Sequence, residues 1–223
     1  AIISETVMEM LRPLSLPFLK PLRPKQEKAD GKARGLVTRI VIEGEDYQYL
    51  HSITQELGLT INDLLLTALC GLSLELNRQL EKSSPYLSVG FAVNLRRFLK
   101  KPGFQITNLS GFSTLIVRAE KAKNFRTIAL EVRERAGELK RKYPGLGSIL
   151  GPIFIFGPLP VPLMKIMVER YSKYLESLAD RGFLLTNIGL MDSFVEPFSA
   201  SLKNASVVGP VAEVPLPVFT ATG

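Results

Sequence analysis

Between Gly58 and Leu76 the chain reads GLTINDLLLTALCGLSLEL, and from Leu64 to Leu76 a helix would be apolar around its whole circumference. A surface helix shows a single apolar stripe, whereas a helix apolar on every side has to be covered on both faces. The run therefore predicts a central helix packed between layers. Thr60 and Asp63 stand at capping-box spacing before it, although the box prefers Glu or Gln at its last place.

The segments around this helix predict strands as well as helices. LVTRIVIEG, ending at Gly44, reads as a strand, and Glu45 and Asp46 then open a helix whose N-terminal dipole favours acidic side chains. Leu50, Ile53 and Leu57 share one face of that helix, and Gly58 supplies its stop. YLSVGFAVNLRRF is the clearest strand. Leu87, Val89, Phe91, Val93 and Leu95 point to a core; Ser88, Gly90, Ala92, Asn94 and Arg96 form a small, then polar, second face that leaves room for a ligand or another backbone. KKPG is a turn, and FQITNLSGFSTLIVRAE is a further strand, expected to break near Gly111.

Phe125, Ile128, Ala129, Val132, Ala136 and Leu139 recur at helical spacing, which predicts a surface helix with a basic end. From Tyr143 to Met164 no residue is charged, a length sufficient to cross a bilayer. Pro144, Pro152, Pro158, Pro160 and Pro162 interrupt it, so a continuous spanning helix would lose too many backbone hydrogen bonds. A buried or surface-lying apolar segment is expected instead. Helical spacing resumes from Leu163 to Leu178. FLLTNIGLMD, ASVVGP and EVPLPVFTAT read as short strands. Helices alternate with strands at first and strands cluster late, which predicts an α/β (α+β) fold, a mixed β-sheet flanked by helices. Residues 1–34 hold Pro13, Pro17, Pro21 and Pro24 and a polar run; they read as a connector arm, and 35–223 as one lobe.

The composition removes several classes of function. Hydrophobic residues make up 46% of the 223 and charged residues 22%, which suits a chain with a substantial core. A single His and a single Cys do not build a zinc site of the common types, so no metal site is expected. GLGSILG follows no strand and is discounted as a dinucleotide loop. Basic residues are mixed with acidic ones and few aromatics stand beside them, so no nucleic-acid partner is expected. The net charge of +7 suits an anionic partner such as a phosphate-bearing cofactor or a membrane surface without requiring one. His51 is read as a helix residue in preference to a base, and Cys70 as a core residue in preference to a reactive thiol.

GLTINDLLLTAL, VGFAVNLR, ITNLSGFSTLIV and LLTNIG, in that order, resemble the C-terminal half of condensation-type acyltransferases. That superfamily includes chloramphenicol acetyltransferase, the condensation domains of peptide synthetases, alcohol acetyltransferases and wax ester synthases. The resemblance covers roughly Gly35 to the end, and the arm resembles the connector from an N-terminal lobe. It implies one lobe of the two-lobed chloramphenicol acetyltransferase-like fold, with a tunnel between the lobes. It also implies transfer of an acyl group from a thioester, on CoA or a carrier protein, to a hydroxyl or amine, with no tightly bound cofactor. In most of the superfamily a His-His-x-x-x-Asp-Gly motif in the first lobe supplies the base. This chain has no adjacent histidines, so no catalytic residue is assigned to it and inactivity alone is expected. It ends at FTATG, where the family continues, and truncation at both ends is the expected explanation.

By the same resemblance Asn94, Arg96, Thr186, Asn187 and Asn108 are candidates for lining the tunnel. Asn62 and Asp63 match the family's Asn-Asp pair, read here as a cap and a loop brace. A salt bridge remains open for Arg96, and bracing of an adjacent loop for Thr186 and Asn187. The expected partners are the missing lobe or a homo-oligomer mate, docking on an apolar seam, together with the acyl thioester and its acceptor. The expected location is cytoplasmic. The alternative is a non-catalytic binding or scaffold protein on the same fold. A membrane-peripheral adaptor, suggested by Lys165, Arg170 and Lys173 beside the apolar segment, is a third reading.

Overall fold

A computed structural model describes residues 38–79, 84–98, 109–158, 160–166, 169–170, 182–189 and 218–222. Helices α1 (Gly44–Leu57) and α2 (Ile61–Gln79) come first, then strand β1 (Tyr86–Asn94), a 3-10 helix (Leu95–Phe98) and strand β2 (Ser110–Arg118). Helices α3 (Phe125–Lys140) and α4 (Leu146–Phe156) follow, and strands β3 (Phe183–Gly189) and β4 (Val218–Thr222) complete the described elements. The four strands form one mixed sheet in the order β2-β1-β3-β4. β1 runs antiparallel to β2, with Val89 opposite Leu115, and parallel to β3, with Val89 opposite Phe183. β4 lies parallel to β3.

The expected mixed sheet flanked by helices is the observed class. Residues of the same parity along each strand build its core face. Leu87 and Val89 of β1, Leu115 and Val117 of β2, and Phe183 and Leu185 of β3 are buried against Leu66, Leu69 and Cys70 of α2 and Ile128, Val132 and Ala136 of α3. Burying a side chain of this size contributes about 1.5–3 kcal/mol. Leu57, Leu59, Leu64 and Ala129 form a second cluster where α1 meets α2, with Leu50 and Ile53 packed on it, so the predicted face of α1 is the buried one.

Local chemistry sets the helix ends. Gly58 ends α1 at φ 60°, the left-handed region that glycine adopts without a Cβ clash. The capping box at α2 forms with Asp in place of Glu. Asp63 Oδ2 accepts the Thr60 N–H at 3.0 Å, and Thr60 Oγ1 accepts the Asp63 N–H at 3.2 Å. Asn124 and Thr127 make an equivalent box at α3.

Several expectations are corrected. Residues 38–43 are not a strand. Each is exposed, Ile40 to 82%, and none pairs with a strand among the described residues. A strand forms only beside a partner edge, and no described strand pairs with these residues; on the β2 edge, α4 supplies Ser148 Oγ, which accepts the Phe112 N–H at 2.8 Å. β2 begins at Ser110, beside the expected break, and Gly111 stays in register opposite Val93. Glycine is needed there because the Gly145 backbone packs where a Cβ would stand, its carbonyl carbon 2.8 Å from that position. α2 is buried on two sides but keeps an exposed strip through Ala68 and Leu72, so its cover is incomplete. Phe125, the first residue of the helical repeat, is 45% exposed at the first turn of α3.

The apolar stretch after Tyr143 resolves into α4 and a second helical segment over residues 161–166, both lying on the surface. No single helix among the described residues is long and apolar enough to cross a membrane. The connector arm over 1–34, the KKPG turn, Asn108, the continuation to Leu178 and ASVVGP lie outside the described residues.

Candidate functional site

The parallel pairing of β1 with β3 brings the predicted motifs to one end of the sheet. Phe91 stands opposite Leu185, so Asn94, at the end of β1, and Thr186 and Asn187, just past Leu185, lie at the same C-terminal end. In sheets with parallel strands this end is where ligands bind, because loops and helix N-termini converge there. The N-terminus of α2 joins it. Asn187 Nδ2–H donates to Asn62 Oδ1 at 2.7 Å, linking residues 125 apart in sequence. Asn187 Oδ1 accepts the Gly189 N–H at 2.8 Å, where Gly189 takes a φ of 78° and turns the chain out of the strand.

Asp63, beside Asn62, is a structural anchor. Its carboxylate is buried and accepts from Lys140 Nζ at 2.9 Å to each oxygen. The pair ties the last turn of α3 to the first turn of α2, where the carboxylate also meets the helix dipole. Capping and bracing thus occupy the acidic member of the Asn-Asp pair, while its amide neighbour faces the end of β3.

The remaining candidates divide by strand parity. Asn187 shares the core-side parity of Phe183 and Leu185, whereas Thr186 shares the opposite face with Leu184 and Ile188. Asn94 has the parity of Ser88, Gly90 and Ala92, so it belongs with Thr186 and not with Asn187. Its Oδ1 accepts the Arg96 N–H at 3.0 Å, a turn that starts the 3-10 helix and leaves the exposed Arg96 at the strand end. Over Gly90 the room expected for another group is taken by Leu184, whose Cδ1 would lie 3.3 Å from a Cβ at that position.

Among the described residues, that second sheet face exposes apolar side chains beside its polar ones. Phe112 is 51% exposed and Val218 39%, and Ile188 is exposed beside them. A cleft of about 240 Å³ lined by Pro85, Tyr86, Arg118 and Glu120 lies at the opposite end of β1, away from the motif residues.

The chemistry this end offers is hydrogen bonding: amide donors from Asn62 and Asn187, the Thr186 hydroxyl and the Arg96 guanidinium. His51 lies mid-way along α1, exposed, its ring 6.5 Å from that of Tyr47. Cys70 is fully buried in α2, and burial pushes its thiol up to about 12, which makes it a core residue and not a nucleophile. No group of three or more His, Cys, Asp or Glu placed to hold a metal ion occurs among the described residues. Glu131 escaped the sequence reading. It is buried in α3 and holds Lys121 at 3.1 Å and Arg135 at 3.3 Å, and the Arg four residues on was its only signal.

No protein-family model matches the chain, and no curated protein matches it. Among solved structures, the crystal structure of vinorine synthase, an acyltransferase, is a weak neighbour. Its TM-score is 0.39 at 13% identity, covering 64% of this chain and 30% of that one. A likeness of that size carries no argument about chemistry. The chain spans less than a third of that enzyme's length.

Proposed function

We propose that this chain is one lobe of an acyltransferase that moves an acyl group from a thioester, on CoA or a carrier protein, to a hydroxyl or amine. The observation that carries the proposal is the Asn187–Asn62 hydrogen bond. It joins two of the motifs that resemble the condensation-type superfamily, and the NLR motif ends at the same end of the sheet. In the proposed reaction the acceptor oxygen or nitrogen attacks the thioester carbonyl, a base takes its proton, and the C–S bond breaks to release a thiolate, which is then protonated. Asn187 would orient the acyl carbonyl, and Arg96 would hold a phosphate or carboxylate of the donor. The base would come from a complementary half with the paired-histidine motif, because this chain has one histidine in all.

The test is transfer from acyl-CoA to alcohol and amine acceptors, by the chain alone and with a polypeptide carrying that motif. No turnover is expected alone. Turnover is expected with the pair, abolished when the second motif histidine becomes Ala and lowered roughly tenfold or more by Asn187→Ala. Turnover by the chain alone, or a pair indifferent to the histidine, refutes the mechanism.

A second reading, a non-catalytic scaffold, has its own support. Asn62, Asp63 and Asn187 all have partners within the fold, as bracing groups do. Unchanged acyl-CoA binding in Asn187→Ala, with lowered stability, would favour the scaffold.

A further inference from the structure

Among the described residues, apolar side chains are exposed in two stretches, residues 40–49 and the segment between α3 and residue 170, and only the second is free of charge over most of its length. No charged residue occurs from Tyr143 to Met164, yet Ile153 is 58% exposed, Val161 71%, Leu163 46% and Ile166 50%. Contiguous apolar exposure of this kind on a water-facing surface marks a contact site. Cations bracket it. Arg141 and Lys142 lie exposed just before it, and Lys165 and Arg170 lie exposed at its end, with Glu169 the one acid among them. Pro158 and Pro160 stand between α4 and the helical residues 161–166, and no single helix among the described residues is long and apolar enough to span a bilayer.

We propose that α4 and residues 161–166 dock on an anionic lipid bilayer. Leu163 and Ile166, three residues apart on one helix face, would enter the boundary between headgroups and acyl chains. Arg141, Lys142, Lys165 and Arg170 would rest against phosphates and carboxylates. The charge pattern selects this occupant. A second copy would bring the same four cations against their equivalents, and the chain's net charge of +7 adds long-range attraction to an anionic surface. Such docking is independent of acyl transfer.

Co-sedimentation of the full chain with sucrose-loaded vesicles tests it, using phosphatidylcholine alone or mixed equally with phosphatidylserine. The chain is expected to pellet with the mixed vesicles and to remain in solution with phosphatidylcholine. Neutralising two cations in Lys165→Gln/Arg170→Gln should weaken partitioning about 30-fold. Leu163→Asp/Ile166→Asp should weaken it at least roughly tenfold, since both side chains are exposed on one helix face. Raising salt from about 0.1 M to about 1 M, which shortens the screening length from about 10 Å to about 3 Å, should release most of the bound chain. Failure to pellet with the mixed vesicles, or pelleting unaffected by Leu163→Asp/Ile166→Asp, overturns the proposal. So does a lipid-free oligomer that the same variant dissociates while vesicle binding is unchanged.

Discussion

Replacing Asp63 with Ala tests how the polar end of the sheet is held together. The carboxylate accepts the Thr60 N–H at 3.0 Å, the Thr60 hydroxyl at 2.7 Å and Lys140 Nζ at 2.9 Å to each oxygen. Three contributions are lost together. Half of the capping box is worth about 1 kcal/mol, and a negative charge in the first turn of a helix adds about 0.3–1 kcal/mol. The ion pair adds about 1 kcal/mol and no more, because the Lys140 side chain is 47% exposed and solvent screens it. Asp63→Ala should therefore destabilise the chain by about 2–3 kcal/mol. Lys140→Met should cost about 1 kcal/mol, since Thr60 and the helix dipole still hold the carboxylate. Urea unfolding of both variants and of the double variant closes a cycle, and the expected coupling is about 1 kcal/mol. A loss below about 0.5 kcal/mol for Asp63→Ala, or zero coupling, would show that neither box nor ion pair holds this end, and the bracing role would fall.

Two further outcomes are expected. Gly111→Ala places a Cβ against the Gly145 backbone, which has no flexible side chain to yield, and should cost about 1–3 kcal/mol in urea unfolding; Gly137→Ala, whose Cβ meets nothing within 4 Å in mid-α3, should instead stabilise by about 0.5–1 kcal/mol, and equal effects would refute the packing account. The Cys70 thiol rises from 9.0 to about 12 on folding, so between those values the unfolded chain releases a proton that the folded chain keeps, and stability falls as pH rises. From pH 8 to pH 10 the loss attributable to this thiol is about 1.4 kcal/mol, and Cys70→Ala should lose less than the parent by that amount in paired urea titrations.

Elements with a strong local signal were legible from the sequence. α2, β1, β3 and α3 follow from apolar periodicity, the stop at Gly58 from the left-handed conformation that glycine accepts, and the box at Thr60 from spacing alone. What failed depended on neighbours distant in sequence. Residues 38–43 hold the β-branched run Ile40, Val41 and Ile42, but strand formation needs a partner edge, and no described strand pairs with them. Gly111 carries the mark of a break, yet its small size serves the approach of Gly145, 34 residues away. The Lys140 partner of Asp63 was equally hidden, because the pair spans 77 positions and neither residue departs from an ordinary surface pattern. For the candidate site, the sequence supplied the residues but grouped Thr186 with Asn187, which strand parity separates.

That separation bears on how the site would be completed. Asn187 meets the N-terminus of α2 from the core side, while Thr186 and Asn94 belong to the sheet face that carries exposed Phe112, Ile188 and Val218. A single ligand group at the C-terminal end of β3 would therefore meet Asn187 beside α2 or Thr186 on the other face, and not both. Covering that face with another polypeptide would bury apolar surface at about 25 cal/mol per Å² and in the same step enclose Thr186 and Asn94. Desolvation strengthens hydrogen bonds to a developing charge, so the contacts that stabilise such an assembly would also raise the worth of its polar groups. The segment proposed to meet lipid is a different surface. α4 meets the outer edge of β2 through Ser148, while Gly145 just before it packs over Val93 and Gly111 on the core-side face. Charge neutralisation at Lys165 and Arg170 should consequently leave any assembly on the sheet face intact, while a charge introduced at Phe112 should disrupt assembly and spare lipid binding.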